Sequence, residues 1–365
     1  MTDTLDAIPP DEEKGKVFMN KSATVGRPGT ETARGLWFTA ARRAELIEEP
    51  VKKPTGTEVT VQAIASLVSA GTEMLVYRGE LPAEDDLGLE TCAGNFGFPV
   101  KYAYQVVGEV IEAGPEARFK PGHIIFVRHP HQDLFTVRSD SWLVAPVPEG
   151  LAAERAVFVN LLEVALNCHL DVPVRFGDVV VIYGQGVVGS LVAQLARRMA
   201  GRVIVVDPIA GRREAALKWG ADAALMPEEA PRAIAALSEG RGADICIEAT
   251  GAPSAIQAAI KAAGQEGTVV VLSFFGTRKV PLILSPEFHY GRLRLISSQV
   301  SSLGSGLQPR WSRERRNAAA FDLLRSDWLV TPVSHEMPFA QSPEAYKILD
   351  TSPEDAMGIV LKYEA

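Results

Sequence analysis

The densest chemical signal is the stretch VVVIYGQGVVG, in which an apolar run of β-formers ends in Gly184, Gly186 and Gly189, spaced G-x-G-x-x-G. A helical pattern opens at once through Val187 and Val188. Each glycine has its own physical reason. Gly184 permits a tight turn, Gly186 lets backbone approach a pyrophosphate, and Gly189 lets the helix lie close to the strand. The free N–H groups and the positive end of the helix dipole then face the phosphates, with Val187 and Val188 in that first turn. The next apolar run, RVIVVD, closes on Asp207, 18 residues after Gly189. A carboxylate at that tip accepts hydrogen bonds from both adenosine ribose hydroxyls and repels a 2′-phosphate, so the expected cofactor is NAD rather than NADP. Arg212 leaves a choice open: its guanidinium either holds a 2′-phosphate or packs along the adenine face. Thr250 and Gly251 end the following apolar run, and Ser273 and Phe274 the one after. Ligands of open parallel sheets bind at those carboxyl ends, with Thr250 and Gly251 expected along the nicotinamide half.

These residues need a scaffold, and the hydrophobic pattern supplies one. With 365 residues, 47% of them hydrophobic and 22% charged, the chain is expected to fold as a soluble two-domain protein. From about residue 33 to 148, short β-like runs such as EVTVQAIASLVSAGTE, QVVGEVIEAGP and GHIIFVRHP alternate with Gly and Pro, which suggests a barrel-like β unit. From about Ala153 the period turns helical, and ERAVFVNLLEVALNCHL reads as one buried helix. Fully apolar strands then alternate with helices as far as LRLISSQV (293–300), the pattern of a parallel sheet covered on both faces. A helix through Leu324 follows. The strand GIVLKY (358–363) is expected to return to the N-terminal unit. Residues 1–32, polar and rich in Pro, read as a flexible leader.

Composition excludes several classes. A net charge of −8 argues against a nucleic-acid partner. The basic cluster Arg310, Arg313, Arg315 and Arg316 reads as a solvated helix face or a subunit contact rather than an anion site. Three widely spaced cysteines, Cys92, Cys168 and Cys246, make neither a disulfide framework nor a metal knuckle. No apolar run approaches a membrane span, and the N-terminus lacks a signal-like apolar core, so a cytoplasmic protein is expected.

From about Ala33 to its end the chain resembles the medium-chain dehydrogenase/reductase family. The resemblance rests on SAGTE (69–73), VVGEV (106–110), PGHIIFV with PVPEGL after it, GQGVVG, the run from Arg212 to Asp222, and GADICIEATG. It implies an α/β architecture, a GroES-like β-barrel catalytic domain plus a doubly wound Rossmann domain. The expected boundaries are 33–160 with 305–365 for the former and 161–304 for the latter. It also implies a homodimer paired through the edge strand 293–300. Zinc-dependent members carry Cys-Gly-Thr-Asp, then Gly-His-Glu, then Cys or Glu. This chain has Ala70, Ala103-Tyr104-Gln105 and Asn160 at those places, so the usual zinc coordination cannot form and no metal is expected. His129 and His131, two apart on a strand, could replace the ligands, although a pocket or surface role is the expectation. SAGTEMLVYRGELP and PHQDLFTV are similar to a zinc-free branch that contains bacteriochlorophyllide a dehydrogenase.

Without zinc, a protein group must handle the proton lost when an alcohol gives up hydride. Thr72 stands at the family's hydroxyl-relay position. Tyr104 replaces a zinc ligand and is expected to point into the same cavity. Glu73 neighbours both, and Glu73 or His131 is the expected proton acceptor. Glu163 lies three residues from Asn160 on a helix and faces the same way. The leading expectation is NAD-dependent oxidation of a secondary alcohol, or its reverse. NADPH-dependent reduction of an enone or quinone and non-catalytic dinucleotide binding are the alternatives. The loops about 85–105 and 274–292, rich in Phe, Tyr and Leu, suggest a partly apolar small-molecule substrate.

Overall fold

A computed structural model describes residues 32–364 apart from Ala93. The expected leader lies outside the described residues except for Thr32, which begins the first strand. The N-terminal unit opens with a hairpin of β1 (Thr32–Ala40) and β2 (Arg43–Pro50). It continues through β3 (Glu58–Val68), α1 (Thr72–Arg78), β4 (Val106–Ala113), β5 (Ile124–Val127), β6 (Leu134–Arg138) and β7 (Val144–Pro146). Two helices follow, α2 (Ala153–Ala156) and α3 (Val159–Asp171). Then come β8 (Val179–Tyr183), α4 (Val187–Ala196), β9 (Arg202–Val206), α5 (Ala210–Lys218), β10 (Ala223–Leu225), α6 (Ala230–Leu237) and β11 (Ala243–Glu248). The same alternation runs on through α7 (Pro253–Ala262), β12 (Ala263–Val271), α8 (Glu287–Tyr290) and β13 (Arg294–Ser297). The chain ends with α9 (Arg313–Leu324), β14 (His335–Pro338), α10 (Ser342–Thr351) and β15 (Ile359–Lys362).

The six strands β10-β9-β8-β11-β12-β13 form one parallel sheet. Every residue of β8 is buried, as a strand covered by helices on both faces requires. The strand order reverses between β8 and β11, and a crevice opens there outside the carboxyl ends. The other sheet, β14-β15-β3-β4-β5-β7 with β6 on β3, is mostly antiparallel. In it, β15 lies antiparallel to β3 with Ile359 opposite Val68, so the end of the chain completes the N-terminal unit. One apolar core joins the units. Leu67 and Val107 of the antiparallel sheet share it with Leu162, Ile182 and Leu191.

Two expectations change in detail. The single helix read over ERAVFVNLLEVALNCHL is two, because the chain bends at Val157 and Phe158 and buries both completely. The final parallel strand is four residues rather than eight. Among the described residues no helix is long and apolar enough to cross a membrane.

Candidate active site

A cavity of about 1570 Å³ lies between the two sheets. It exceeds a typical small-ligand pocket and has room for a dinucleotide with a second molecule. The β8–α4 turn forms one wall. Gly184 sits at φ +93°, and a Cβ there would stand 2.8 Å from the Ala249 carbonyl oxygen. A Cβ on Gly189 would run into the Gly184 carbonyl, so only glycine lets α4 lie this close. A Cβ on Gly186 would meet nothing within 4 Å, which leaves the backbone open to the cavity. Gly186 caps α4 without a side-chain hydrogen bond, so the first-turn N–H groups of Val187 and Val188 remain for a ligand.

Asp207 follows β9 and lines the cavity at 2% exposure. Its Oδ2 accepts from the Gln185 N–H at 2.7 Å and its Oδ1 from the Ile209 N–H at 2.8 Å. Each oxygen keeps a second lone pair. The carboxylate therefore braces the glycine turn and still has acceptor capacity for a diol. Arg212 also lines the cavity, but its Nη2 donates to the carbonyls of Pro353 and Ala356 at 2.6 and 2.7 Å. Neither alternative for Arg212 foresaw this tether, which reaches across to the turn after α10.

Thr250, Gly251, Ser273 and Phe274 all line the cavity. Their organiser is Glu248, a buried residue at the end of β11 that the sequence reading passed over. Its Oε1 accepts from Thr250 N–H at 2.6 Å, Thr250 Oγ1 at 2.7 Å, Gly251 N–H at 2.8 Å and Ser273 Oγ at 3.2 Å. The signal was there, since an acid ending the apolar run ADICIE must find buried donors.

The opposite wall comes from the end of β3 and the start of α1. Ser69, Ala70 and Thr72 face the cavity, and the half-buried Tyr104 joins them. The Tyr104 hydroxyl donates to Ser69 Oγ at 2.8 Å and lies within hydrogen-bond reach of Thr72. Burial pushes this phenol up to about 12, and the nearby Glu73 charge adds to the rise.

Glu73 itself is a correction. It is wholly buried and does not line the cavity. Its Oε2 accepts from the Tyr346 hydroxyl at 2.6 Å and lies 3.2 Å from His131 Nε2. The cause is helical geometry: Thr72 and Glu73 open α1, and successive residues there point about 100° apart. With Thr72 on the cleft, Glu73 is turned into the core. His131, the other expected acceptor, is buried with it and reaches Ser66 Oγ at 2.8 Å. His129 diverges, stacking on Phe135 at 3.8 Å.

Asn160 and Glu163 do face the cavity together, but neither is free. Arg128 donates through Nε to Asn160 Oδ1 at 3.0 Å and through Nη2 to Glu163 Oε2 at 2.5 Å. Arg316 of α9 approaches Glu163 Oε1 at 3.4 Å. Arg313 and Arg316 both border the cavity, but Arg313 is exposed, as a solvated helix face requires, while Arg316 is buried and departs from that expectation.

Residues 187–319 match the family model described as zinc-binding dehydrogenase. Over 350 residues the chain is 29% identical to D-guloside 3-dehydrogenase of Escherichia coli K12, an overlap of 88% of this chain and 97% of that one. It is 25% identical over 336 residues to 2-desacetyl-2-hydroxyethyl bacteriochlorophyllide A dehydrogenase of Cereibacter sphaeroides, covering 86% and 93%. The structure matches alcohol dehydrogenase TADH from Thermus sp. ATN1 with a TM-score of 0.72 at 19% identity, over 91% of this chain and 100% of that one. In sequence and fold the chain is similar to the medium-chain dehydrogenase/reductase superfamily. Its class of chemistry is oxidoreduction.

The superfamily implies two bound groups, and the residues present suit them differently. A dinucleotide fits, because Gly186 leaves open space before an uncapped helix and Asp207 keeps free lone pairs beside it. A catalytic zinc does not fit the three family positions. Ala70 has no donor, the Tyr104 phenol is engaged with Ser69, and the Asn160 oxygen is engaged with Arg128. Among the described residues no group of three or more His, Cys, Asp or Glu side chains is placed to hold a metal.

Proposed function

We propose that this protein, as a member of the superfamily, transfers a hydride between NAD and a secondary alcohol, or the matching ketone, without a catalytic metal. One observation carries the reading. A glycine turn braced by Asp207 forms one wall of a single cavity, and the hydroxyl cluster of Ser69, Thr72 and Tyr104 forms the other. NAD held along the first wall by Gly186, the α4 N-terminus and Asp207 would supply the hydride acceptor for the carbinol carbon. Asp207 selects the cofactor by receiving the ribose hydroxyls and repelling a 2′-phosphate. Two carbonyls hold the Arg212 Nη2, which fixes where its guanidinium stands on the cavity wall.

Tyr104 stays protonated at neutral pH, with its phenol pushed up to about 12. With substrate bound, its single O–H turns from Ser69 Oγ to the substrate oxygen as negative charge gathers there, and it does not abstract the proton. Thr72 accepts the hydroxyl hydrogen and passes a proton through the hydroxyl cluster to water in the cavity. Glu73 acts from behind by position and charge. The names of the two relatives, a guloside 3-dehydrogenase and the dehydrogenase of a hydroxyethyl bacteriochlorophyllide, support an alcohol as the reduced partner. Phe96 and Phe274, both on the cavity, support a partly apolar substrate.

The test is NAD reduction with a panel of secondary alcohols, methyl guloside included, before and after dialysis against a chelator, with elemental analysis of the protein. Turnover is expected to survive chelation with zinc well below one per chain. Loss on chelation and recovery on adding zinc overturns the metal-free reading. Preference for NADPH with enones would assign the reductase activity instead, and tight NADH binding with no hydride exchange would assign a non-catalytic role.

A further inference from the structure

We propose that the substrate of this cleft carries a carboxylate, as a sugar-acid glycoside with a partly apolar aglycone does, and that Arg128 receives it with Arg313 beside it. The proposal rests on the dehydrogenase reading and names the substrate class for the same cavity. Arg128 stands just beyond β5, lines the cavity and is 12% exposed. Its Nε and Nη2 bonds to Asn160 and Glu163, with one from Nη1 to the Trp142 carbonyl at 3.3 Å, fix the guanidinium plane. Its carbon lies 5.4 Å from the Trp142 ring centroid. Among the described residues these bonds use three of its five N–H donors, and a pair remains for a bidentate acceptor. Arg313 lies over the same indole at 4.9 Å and donates to the Ser301 carbonyl at 2.6 Å.

The charges at this end of the cavity are unevenly placed. Arg128, Arg313 and Arg316 are three cations. Glu163 lies between Arg128 and Arg316, and the exposed Glu314 neighbours Arg313. Asp171, reached by the Arg316 charge and joined to it through Asn167, is a third carboxylate, so the count is even and what sets Arg128 apart is its place on the cavity with N–H groups left over. Burial, with Arg316 and Arg313 nearby, pulls the Arg128 guanidinium below its ordinary range despite Glu163. A largely buried guanidinium that keeps N–H groups unpaired is costly in a purely structural network. It is what a site for an anion needs, and a residue of one charge matches a carboxylate better than a dianionic phosphate.

The intact protein saturated with NADH is titrated calorimetrically with methyl β-D-glucuronide, methyl β-D-glucoside and glucose 6-phosphate. The glucuronide is expected to bind about tenfold or more tighter than the glucoside, as a charge-assisted bidentate contact implies. In Arg128→Gln this ratio is expected to fall to about two or less, and in the exposed Arg313→Ala variant to fall by about threefold. Equal binding of acid and neutral sugar, an acid preference unchanged in both variants, or tighter binding of the phosphate overturns the assignment. Failure to bind NADH overturns the dehydrogenase reading instead, and the sugar titrations of the free protein still decide the carboxylate site.

Discussion

Tyr104 concentrates the chemical question into one hydroxyl. Its ring packs edge-on against Tyr102 at 5.8 Å, so Tyr104→Phe keeps the packing and removes only the donor. We expect kcat to fall about 100-fold with KM little changed, as when a single preorganised donor to a developing oxyanion is lost. Steady-state kinetics beside a thermal melt checks this, and a fall in Tm with unchanged kcat would reduce Tyr104 to packing. That Gly184, Gly186, Asp207, Thr72 and Tyr104 stand on one cavity was legible in the sequence because each sits within a motif of a few residues. Arg128, Arg316 and Glu248 were not. Arg316 meets Glu163 across 153 residues of chain, and no local spacing announces such a pair. Glu73 misled for the opposite reason, since sequence adjacency to Thr72 stood in for spatial adjacency until the first turn of α1 separated them.

Among the elements, β13 carries the clearest consequence. Among the described residues it pairs with β12 alone and closes one side of the parallel sheet, with Leu295 36% exposed. An unpaired edge with an apolar side chain is prone to add another strand. We therefore propose that two copies pair through β13 as a homodimer. Light scattering after size exclusion is expected to give twice the chain mass, shifting to the single mass in Leu295→Pro, which removes an edge N–H. The Ser298 N–H faces β12, and so does that of Ile296 two residues before it, which leaves the Leu295 N–H on the open edge. A monomer at the outset contradicts the proposal. The strand–helix alternation behind this edge was readable because buried parallel strands are apolar throughout. The break between α2 and α3 was not readable, because Val157 and Phe158 are as apolar as their neighbours and periodicity loses its contrast there.

The whole molecule carries an acid sensitivity built into its core. Burial drives His129 from an ordinary 6.5 down to about 3, and lowers His169 as well. A folded-state value below the unfolded one means the unfolded chain takes up protons first as pH falls. This stability is complete above about pH 6.5 and is lost progressively toward pH 3. Each such histidine steepens the loss by up to about 1.4 kcal/mol per pH unit. Urea melts across that window are expected to show a shallower slope in His129→Gln, and an unchanged slope would mean that His129 is already charged in the native state. The central claim, a ribose held by Asp207 in a cavity that works with NAD, is tested most directly by fluorescence titration of the purified protein with NADH and NADPH. The account predicts NADH binding about tenfold or more tighter, a difference of about 1.4 kcal/mol. Equal affinities, or tighter binding of NADPH, would contradict it.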